Sequence, residues 1–198
     1  VSSITKWSRP VLHTRRIPEF LSIAFRQMFA GRYGPAFLEI PIDVLLGAVE
    51  DADVTIPQNY RTAAAPRGNP DAIARAAALL EQAERPAVIA GSAIWWSDAA
   101  AALARFAERA ALPIYLNAMG RGAMPPEHPN YFSTSRKHAL SNADVVLAVG
   151  APLDFRLGYG RPPAFNADAK IIQVDIDARE IGRNRGAEVG IVGDARVV

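Results

Sequence analysis

The feature that most constrains the fold is a series of short apolar runs, each ending in glycine or aspartate. The runs include PAVIAG at 86–91, ADVVLAVG at 143–150 and KIIQVDI at 170–176, and segments with helical spacing separate them. Runs with almost no polar alternation are typical of strands that are buried on both faces, as in parallel sheets. The pattern therefore predicts an α/β fold, an open parallel sheet with helices on both faces.

Periodicity and proline content divide the chain into three parts. Residues 1–45 predict a helix over 17–30 and then a short apolar strand, AFLEIPIDV, whose Glu39 we expect to be a buried structural acid. Residues 46–69 lose periodicity and gather prolines, which indicates a linker. Residues 70–198 alternate regularly between strands and helices, starting from Asn69 as a helix N-cap followed by a proline.

The composition excludes several classes of protein. Half of the 198 residues are hydrophobic and 21% are charged, which is typical of a globular protein. The net charge is only +2 and no dense Lys/Arg block occurs, so a nucleic-acid surface is not expected. No apolar run approaches the ~20 residues that span a bilayer. Cysteine is absent, which fits a reducing compartment, and we expect a cytoplasmic protein.

Polar and small residues stand where the predicted strands end, and in open parallel sheets ligands bind beyond the carboxyl ends of the strands. Glycine lets a backbone approach phosphate, and carboxylates accept hydrogen bonds from ribose hydroxyls. These positions predict a nucleotide-binding edge, although each one alone also fits an ordinary turn. The residues are Gly91, Ser92, Asn117, Gly150, Asp175, Ile176, Asp177, Gly193 and Asp194.

The two acids after KIIQV have different predicted roles. Asp175 either contacts a ribose or adenine or serves as a structural cap, and Asp177 is predicted to cap the next helix, with Glu180 three residues on as in a capping box. No histidine or third acid stands beside the pair, so a metal site is not predicted there.

Two further stretches leave alternatives open. Arg156, close to Asp154 in a glycine-flanked loop, suits either a phosphate contact or a surface salt bridge. Trp95 and Trp96 suit either stacking on a flat ring or burial against a neighbouring domain. The three histidines are scattered, and no Ser-His-Asp arrangement can be assembled, so no catalytic residue is predicted.

The order of these pieces resembles a known family. The stretch GRYGPAFLEIPIDVL is similar to the end of the pyrimidine-binding domain in thiamine-diphosphate enzymes of the acetolactate synthase type. The stretches ERPAVIAGSAI, LPIYLNAMGRGAMPPEHPNYF, ADVVLAVGAPLDF, KIIQVDIDAREIGRN and VGIVGDARVV then resemble the central domain, in the family's order. The chain is thus identified as a fragment of an acetolactate synthase-like catalytic subunit.

The resemblance implies a six-stranded parallel central domain that binds FAD in acetolactate synthases and ADP in oxalyl-CoA decarboxylases. It implies a nucleotide site at Gly91, Ser92, Asp175, Ile176 and Asp194, with Arg156 at the active-site entrance. Pro152 stands where flavin-binding members usually carry arginine, and the loop FSTSRKHAL is shorter than theirs. Both departures favour the branch of 2-hydroxyacyl-CoA lyases and decarboxylases.

The resemblance also implies what the intact enzyme uses. Thiamine diphosphate and Mg²⁺ are expected as cofactors, but the activating glutamate and the metal motif are expected outside residues 1–198, so this fragment should be inactive alone. The intact enzyme would act on a 2-oxo acid, by decarboxylation and carboligation, or on an acyl-CoA, as a homodimer or homotetramer. The alternative hypothesis is a non-catalytic nucleotide-binding scaffold.

Overall fold

The computed structural model describes residues 1–198, which separate into two units, Val1–Ala64 and Ala65–Val198. In the first unit, strand β1 pairs in parallel with strand β2. The elements are β1 (Trp7–Pro10), α1 (Ile17–Phe29), β2 (Ala36–Glu39) and α2 (Ile42–Leu45). The predicted helix and strand are present, whereas β1 was not predicted. Glu39 is exposed, so its prediction as a buried acid was wrong, because a sheet of two strands leaves it open to solvent.

The second unit contains a five-stranded parallel sheet in the order β4-β3-β5-β6-β7, which confirms the predicted α/β fold. Its elements are α3 (Pro70–Glu81), β3 (Pro86–Ala90), α4 (Ala93–Trp96), α5 (Ala100–Ala110), β4 (Ile114–Leu116), α6 (Arg136–Asn142), β5 (Val145–Val149), β6 (Lys170–Asp175) and β7 (Val189–Val192). From β3 the chain continues to β4 on one side of the sheet, and from β5 it continues to β6 and β7 on the other side. The carboxyl ends of these two strands form the switch point at which such sheets bind ligands.

The expected sixth strand is reduced to a single bridge, in which Tyr131 pairs in parallel with Ile114. On the amino-terminal side of this bridge, the N–H of Asn130 donates to Nδ1 of His128 at 3.2 Å instead of to β4. The prediction of six strands is therefore corrected to five.

Both faces of the sheet are buried, as the unbroken apolar runs predict. Along β3, Val88 and Ala90 point into one core with α3 and α5, whereas Ala87 and Ile89 point into a second core on the opposite face. The second core is closed by α6 and by the long connection between β5 and β6. Successive side chains of a strand alternate between faces, so a strand between two cores must be apolar throughout.

Local signals fix the helix boundaries of this unit. Oδ1 of Asn69 accepts hydrogen bonds from the N–H groups of Asp71 and Ala72, at 2.9 and 3.1 Å, which confirms the predicted N-cap of α3. The short helix expected after β6 is only a 3-10 turn, Ala178–Glu180, followed by Gly182 in the left-handed region. None of the helices combines the length and apolar composition that crossing a bilayer requires.

Candidate functional site

The carboxyl edge of the sheet brings the predicted strand-end residues into one row. A ladder of backbone hydrogen bonds links the strand exits, because the first N–H beyond a strand donates to a carbonyl of its neighbour. Each N–H donates to a carbonyl at 2.7–3.0 Å, and the donor and acceptor pairs are Asn117 with Ala90, Gly91 with Val149, Gly150 with Val174, and Gly193 with Asp175. These amides are therefore used within the fold, and a ligand at this edge must find its donors in side chains or in later residues.

Glycine at the switch point is explained by close packing. A Cβ on Gly91 would meet the carbonyl oxygen of Gly150, and one on Gly120 would lie 2.7 Å from the carbonyl oxygen of Gly91. Gly150 has a φ of +53°, and a Cβ there would meet Ala93. Three connections thus approach one another too closely for any side chain. The N–H of Gly91 donates to the carbonyl of Val149, so this amide is already used within the fold.

The aspartates at the edge share one local geometry. Each accepts a hydrogen bond from the backbone N–H two residues further on, which forms a tight Asx turn at the strand exit. The pairs are Asp154 with Arg156, Asp175 with Asp177, Asp177 with Arg179 and Asp194 with Arg196, at 2.9–3.0 Å. Such turns hold the carboxylates in fixed orientations, which is what recognition of ribose hydroxyls requires.

Asp175, the last residue of β6, and Asp177, just beyond it, divide their roles much as the sequence suggests. Asp177 is the N-cap of the 3-10 turn and also forms an ion pair with Arg179, which confirms its predicted capping role. Asp175 keeps 7% of its surface exposed, and its Oδ1 accepts from the N–H of Asp177. Glu180 is buried and its Oε1 accepts from Arg183 at 2.8 Å. Ile176, between the acids, is half-buried.

Arg156 lies in the 3-10 segment Phe155–Gly160, which follows β5. Its guanidinium forms a two-point ion pair with Asp154, and this hydrogen bonding holds the pKa of the Asp154 carboxyl below its usual value and raises the pKa of Arg156. The Arg156 side chain remains 45% exposed. The salt bridge that the sequence suggested is thus present, and an anion at this position would compete with Asp154 for the guanidinium.

Ser92 and the two tryptophans lie beyond β3. Ser92 occupies the N-cap position of α4 without a side-chain capping bond. Trp95 and Trp96 are 66% and 51% exposed, so neither ring is buried within its own unit. Asp194, beyond β7, caps the final turn, with its carbonyl accepting from the N–H groups of Val197 and Val198.

Two residues that the sequence analysis did not single out organise the neighbourhood of Arg156. Arg185 donates to four backbone carbonyls of residues 160–169, and partial burial lowers its pKa. The side chain of Asn184 donates to the carbonyl of Leu153 at 2.8 Å. The only sequence signal was the position of this pair in the turn-rich stretch GRNRG, because their acceptors are distant in the chain.

Within residues 1–198, no three His, Cys, Asp or Glu side chains lie together in a way that could hold a metal ion. The carboxylates of the edge are each engaged in a turn next to their own strand. The residues of this chain therefore do not by themselves fit a Mg²⁺ site for a cofactor diphosphate.

Comparison with known proteins identifies the family. The family model described as "Thiamine pyrophosphate enzyme, central domain" matches residues 73–198, and these residues contain the whole five-stranded sheet. The benzoylformate decarboxylase structure from Polynucleobacter necessarius superposes with a TM-score of 0.75 at 21% identity, over 100% of this chain and 39% of that one. The chain belongs to the thiamine pyrophosphate enzyme family and contains its central domain.

Relatives within the family have different activities. The chain is 31% identical to 2-hydroxyacyl-CoA lyase 1 of Mus musculus, over 98% of this chain and 33% of the relative. It is 37% identical to an acetolactate synthase large subunit of Mycobacterium tuberculosis, over 81% of this chain and 29% of the relative. The chain thus spans about a third of the length of these curated relatives.

Proposed function

We propose that residues 70–198 form a nucleotide-binding central domain of a thiamine-diphosphate-dependent enzyme. The observation that carries the proposal is the row of oriented side chains at the carboxyl edge of the sheet, on both sides of the switch point. Asp175, with Ile176 beside it, would receive the ribose. Arg156 would release Asp154 and hold the diphosphate, helped by the hydroxyl of Ser92.

The donors of this proposed site are mostly side chains, because the ladder uses the exit amides. Gly91 would therefore serve the site by allowing the β3 and β5 connections to close up rather than by donating to phosphate. Asp194 would extend the acidic side of the site beyond β7, where its carboxylate is already oriented by the N–H of Arg196. The bound nucleotide would be FAD or ADP, and either one carries the same adenosine diphosphate group.

For the whole enzyme, we propose an acetolactate synthase-type activity, in which a 2-oxo acid is decarboxylated and the remaining unit is joined to a second carbonyl compound. The identity to an acetolactate synthase large subunit supports it. Thiamine diphosphate would supply the electron sink for decarboxylation when bound with Mg²⁺. We propose a homodimer or homotetramer for the intact enzyme, a cytoplasmic location, and no activity for residues 1–198 alone.

A second candidate is a 2-hydroxyacyl-CoA lyase or oxalyl-CoA decarboxylase type of enzyme, with ADP in the central domain. Pro152 favours it, because a proline cannot supply the guanidinium that flavin-binding members usually place there. Pro152 also shapes the turn before Arg156, since its carbonyl accepts from the N–H of Asp154 at 2.8 Å. The similarity to a 2-hydroxyacyl-CoA lyase supports this candidate independently.

The test of the proposal is to purify residues 1–198, record the visible spectrum and chromatograph any nucleotide that denaturation releases. A flavin band would favour the acetolactate synthase type, and release of ADP from a colourless protein would favour the acyl-CoA type. If nothing is released, titration with ADP should still give a measurable Kd. We expect that Asp175→Ala weakens ADP binding about tenfold, as expected for loss of a charge-assisted hydrogen bond.

Glu84→Ala is the matched control, because Glu84 is an exposed acid just before β3, at the amino edge of the sheet and away from the carboxyl edge. It should leave the Kd for ADP unchanged. No ADP binding in the unaltered chain, or equal losses in both variants, would contradict a nucleotide site at Asp175.

A further inference from the structure

The connection between β5 and β6, residues 150–169, carries Arg156 but contains no α-helix. Its only regular element is the 3-10 segment Phe155–Gly160, in which Gly158 and Tyr159 have left-handed backbone angles. An irregular connection of this length leaves many backbone carbonyls without a partner of its own, and buried carbonyls need one. The partners come from the next connection of the chain, between β6 and β7.

Arg185 supplies most of them. One terminal nitrogen of its guanidinium donates to the carbonyls of Gly160 and Asn166, at 2.7 and 2.9 Å. The other donates to the carbonyls of Ala167 and Ala169, at 3.0 and 2.6 Å. A planar group with fixed donor directions can satisfy four carbonyls only if the loop holds one conformation. Arg185 therefore defines the shape of the loop's second half.

Asn184 holds the first half of the same connection. Its Nδ2 donates to the carbonyl of Leu153 at 2.8 Å, and its own carbonyl accepts from Nε of Arg161 at 3.1 Å. These contacts lie on either side of Arg156 in the sequence. The pair is tied to the sheet in turn, because Gln173, buried in β6, accepts the N–H of Gly182 at 2.6 Å.

We propose that Asn184 and Arg185, here called the brace, are positioning residues that hold the Arg156 segment at the carboxyl edge of the sheet. The expected consequence is that the brace sets the affinity for the nucleotide diphosphate without touching it. This consequence rests on the proposed function. The brace also joins the connection that follows Asp175 to the connection that contains Arg156. The two halves of the proposed site would thus be built as one unit.

The first experiment measures the brace without any ligand, by amide hydrogen exchange of residues 1–198. The N–H groups of Leu157 and Tyr159 both donate to the carbonyl of Asp154 and report on the segment directly. Arg185→Met keeps the aliphatic stem and removes the guanidinium, and should speed exchange in residues 154–161 at least about tenfold, with β5 and β6 unchanged. Arg185→Lys, which keeps the charge but not the planar group, should give an intermediate effect.

Arg179→Met is the matched control, since Arg179 lies in the same connection, has a side chain that is 88% exposed, and forms an ion pair with Asp177 instead of with the loop. It should leave exchange in residues 154–161 as in the unaltered chain. Equal exchange in Arg185→Met and Arg179→Met would overturn the brace. If Arg185→Met does not fold, Arg185→Lys carries the same test, as does Asn184→Gly, which removes the side chain but tolerates the left-handed backbone at φ +67°.

The second experiment measures whether the brace acts through Arg156, using the Kd for ADP. We expect Arg156→Met and Arg185→Met each to weaken binding about tenfold, and the double variant to bind about as weakly as either one, rather than about a hundredfold more weakly than the unaltered chain. Full additivity would overturn the positioning role. Absence of ADP binding in the unaltered chain would reject the proposed function, while the exchange data would still decide the brace.

Discussion

The two units of the chain use the same parallel pairing with very different results. In residues 1–64, β1 and β2 form a two-stranded sheet, and side chains such as Leu12, Ile42 and Leu46 stay more than 60% exposed. In residues 65–198, five strands lie between two cores. A parallel sheet gains stability when both faces are covered, and an isolated pair of strands is marginal. The second unit should therefore be much the more stable of the two.

The sharpest test of this difference compares one apolar side chain in each unit. Ile89 is fully buried in β3, whereas Phe25 in α1 is 43% exposed. We expect Ile89→Ala to lower the free energy of unfolding of the second unit by about 4 kcal/mol, through lost burial and the cavity left behind. Phe25→Ala should cost the first unit about 1 kcal/mol, because much of its ring is already in water. Urea denaturation with hydrogen exchange resolved by unit measures both, and comparable losses would contradict the comparison.

A second test uses two glycines with similar left-handed backbones in different surroundings. Gly150 has a φ of +53° and a Cβ there would meet Ala93, whereas Gly31, with a φ of +58°, has nothing within 4 Å. Gly150→Ala should cost about 3 kcal/mol, from backbone strain together with overpacking. Gly31→Ala should cost about 1 kcal/mol, from strain alone. Thermal unfolding measures both changes, and equal costs would mean that the switch point can relax to admit a methyl group.

The same contrast explains what the sequence could predict. The strands from β3 to β7 and the cap at Asn69 follow from patterns within a few residues of each other. Strand β1, WSRP, carries no such pattern, because its pairing with residues 36–39 is set by contacts far along the chain. Its neighbour Glu39 was misjudged for the same reason, since burial depends on how many strands and helices cover a sheet.

At the candidate site, the sequence identified acids and glycines but not all of their physical roles. The Asx turns of Asp175 and Asp177 are local and were within reach of sequence reasoning. The crowding at Gly91 arises from Gly150 and Ala151, which are distant in sequence. Arg185 was missed because its four acceptors lie 16–25 residues away, and no spacing rule marks a guanidinium that binds carbonyls.

Acid stability should differ between the units as well. Burial alone would raise the pKa of Asp144, but backbone N–H groups, including those of Glu84 and Arg85, together lower it. A lowered folded-state pKa means that the stabilisation is fully present above the unfolded value of about 3.9 and is lost as the pH falls through the folded value. Asp144→Asn should cost about 1.5 kcal/mol at pH 7 and progressively less below about pH 4.

The matched comparison is Glu19 in α1, whose pKa is lowered by the hydrogen bond from Arg16, although both side chains are more than 40% exposed. Glu19→Gln should change the stability of the first unit less than Asp144→Asn changes that of the second, and salt should abolish the effect. Urea denaturation from pH 2 to 7 at two ionic strengths measures both. A salt-sensitive Asp144 effect would show that its hydrogen bonds are not shielded by the fold.

The smallest expected effect concerns how the helices of the two units begin. Asn69 caps α3 through its side chain, whereas Arg16, at the corresponding position of α1, makes no capping bond. Asn69→Ala should lower the free energy of unfolding of the second unit by about 1 kcal/mol, because the N–H groups of Asp71 and Ala72 lose their acceptor. Arg16→Ala removes an exposed ion pair with Glu19 and a cation–π contact with Phe20, and should cost about half as much as Asn69→Ala. Hydrogen exchange in the first turn of each helix measures the two changes. Faster exchange at the start of α1 in Arg16→Ala than at the start of α3 in Asn69→Ala would contradict this prediction. The greater stability of the start of α3 would then have to come from its packing on the core and not from its cap.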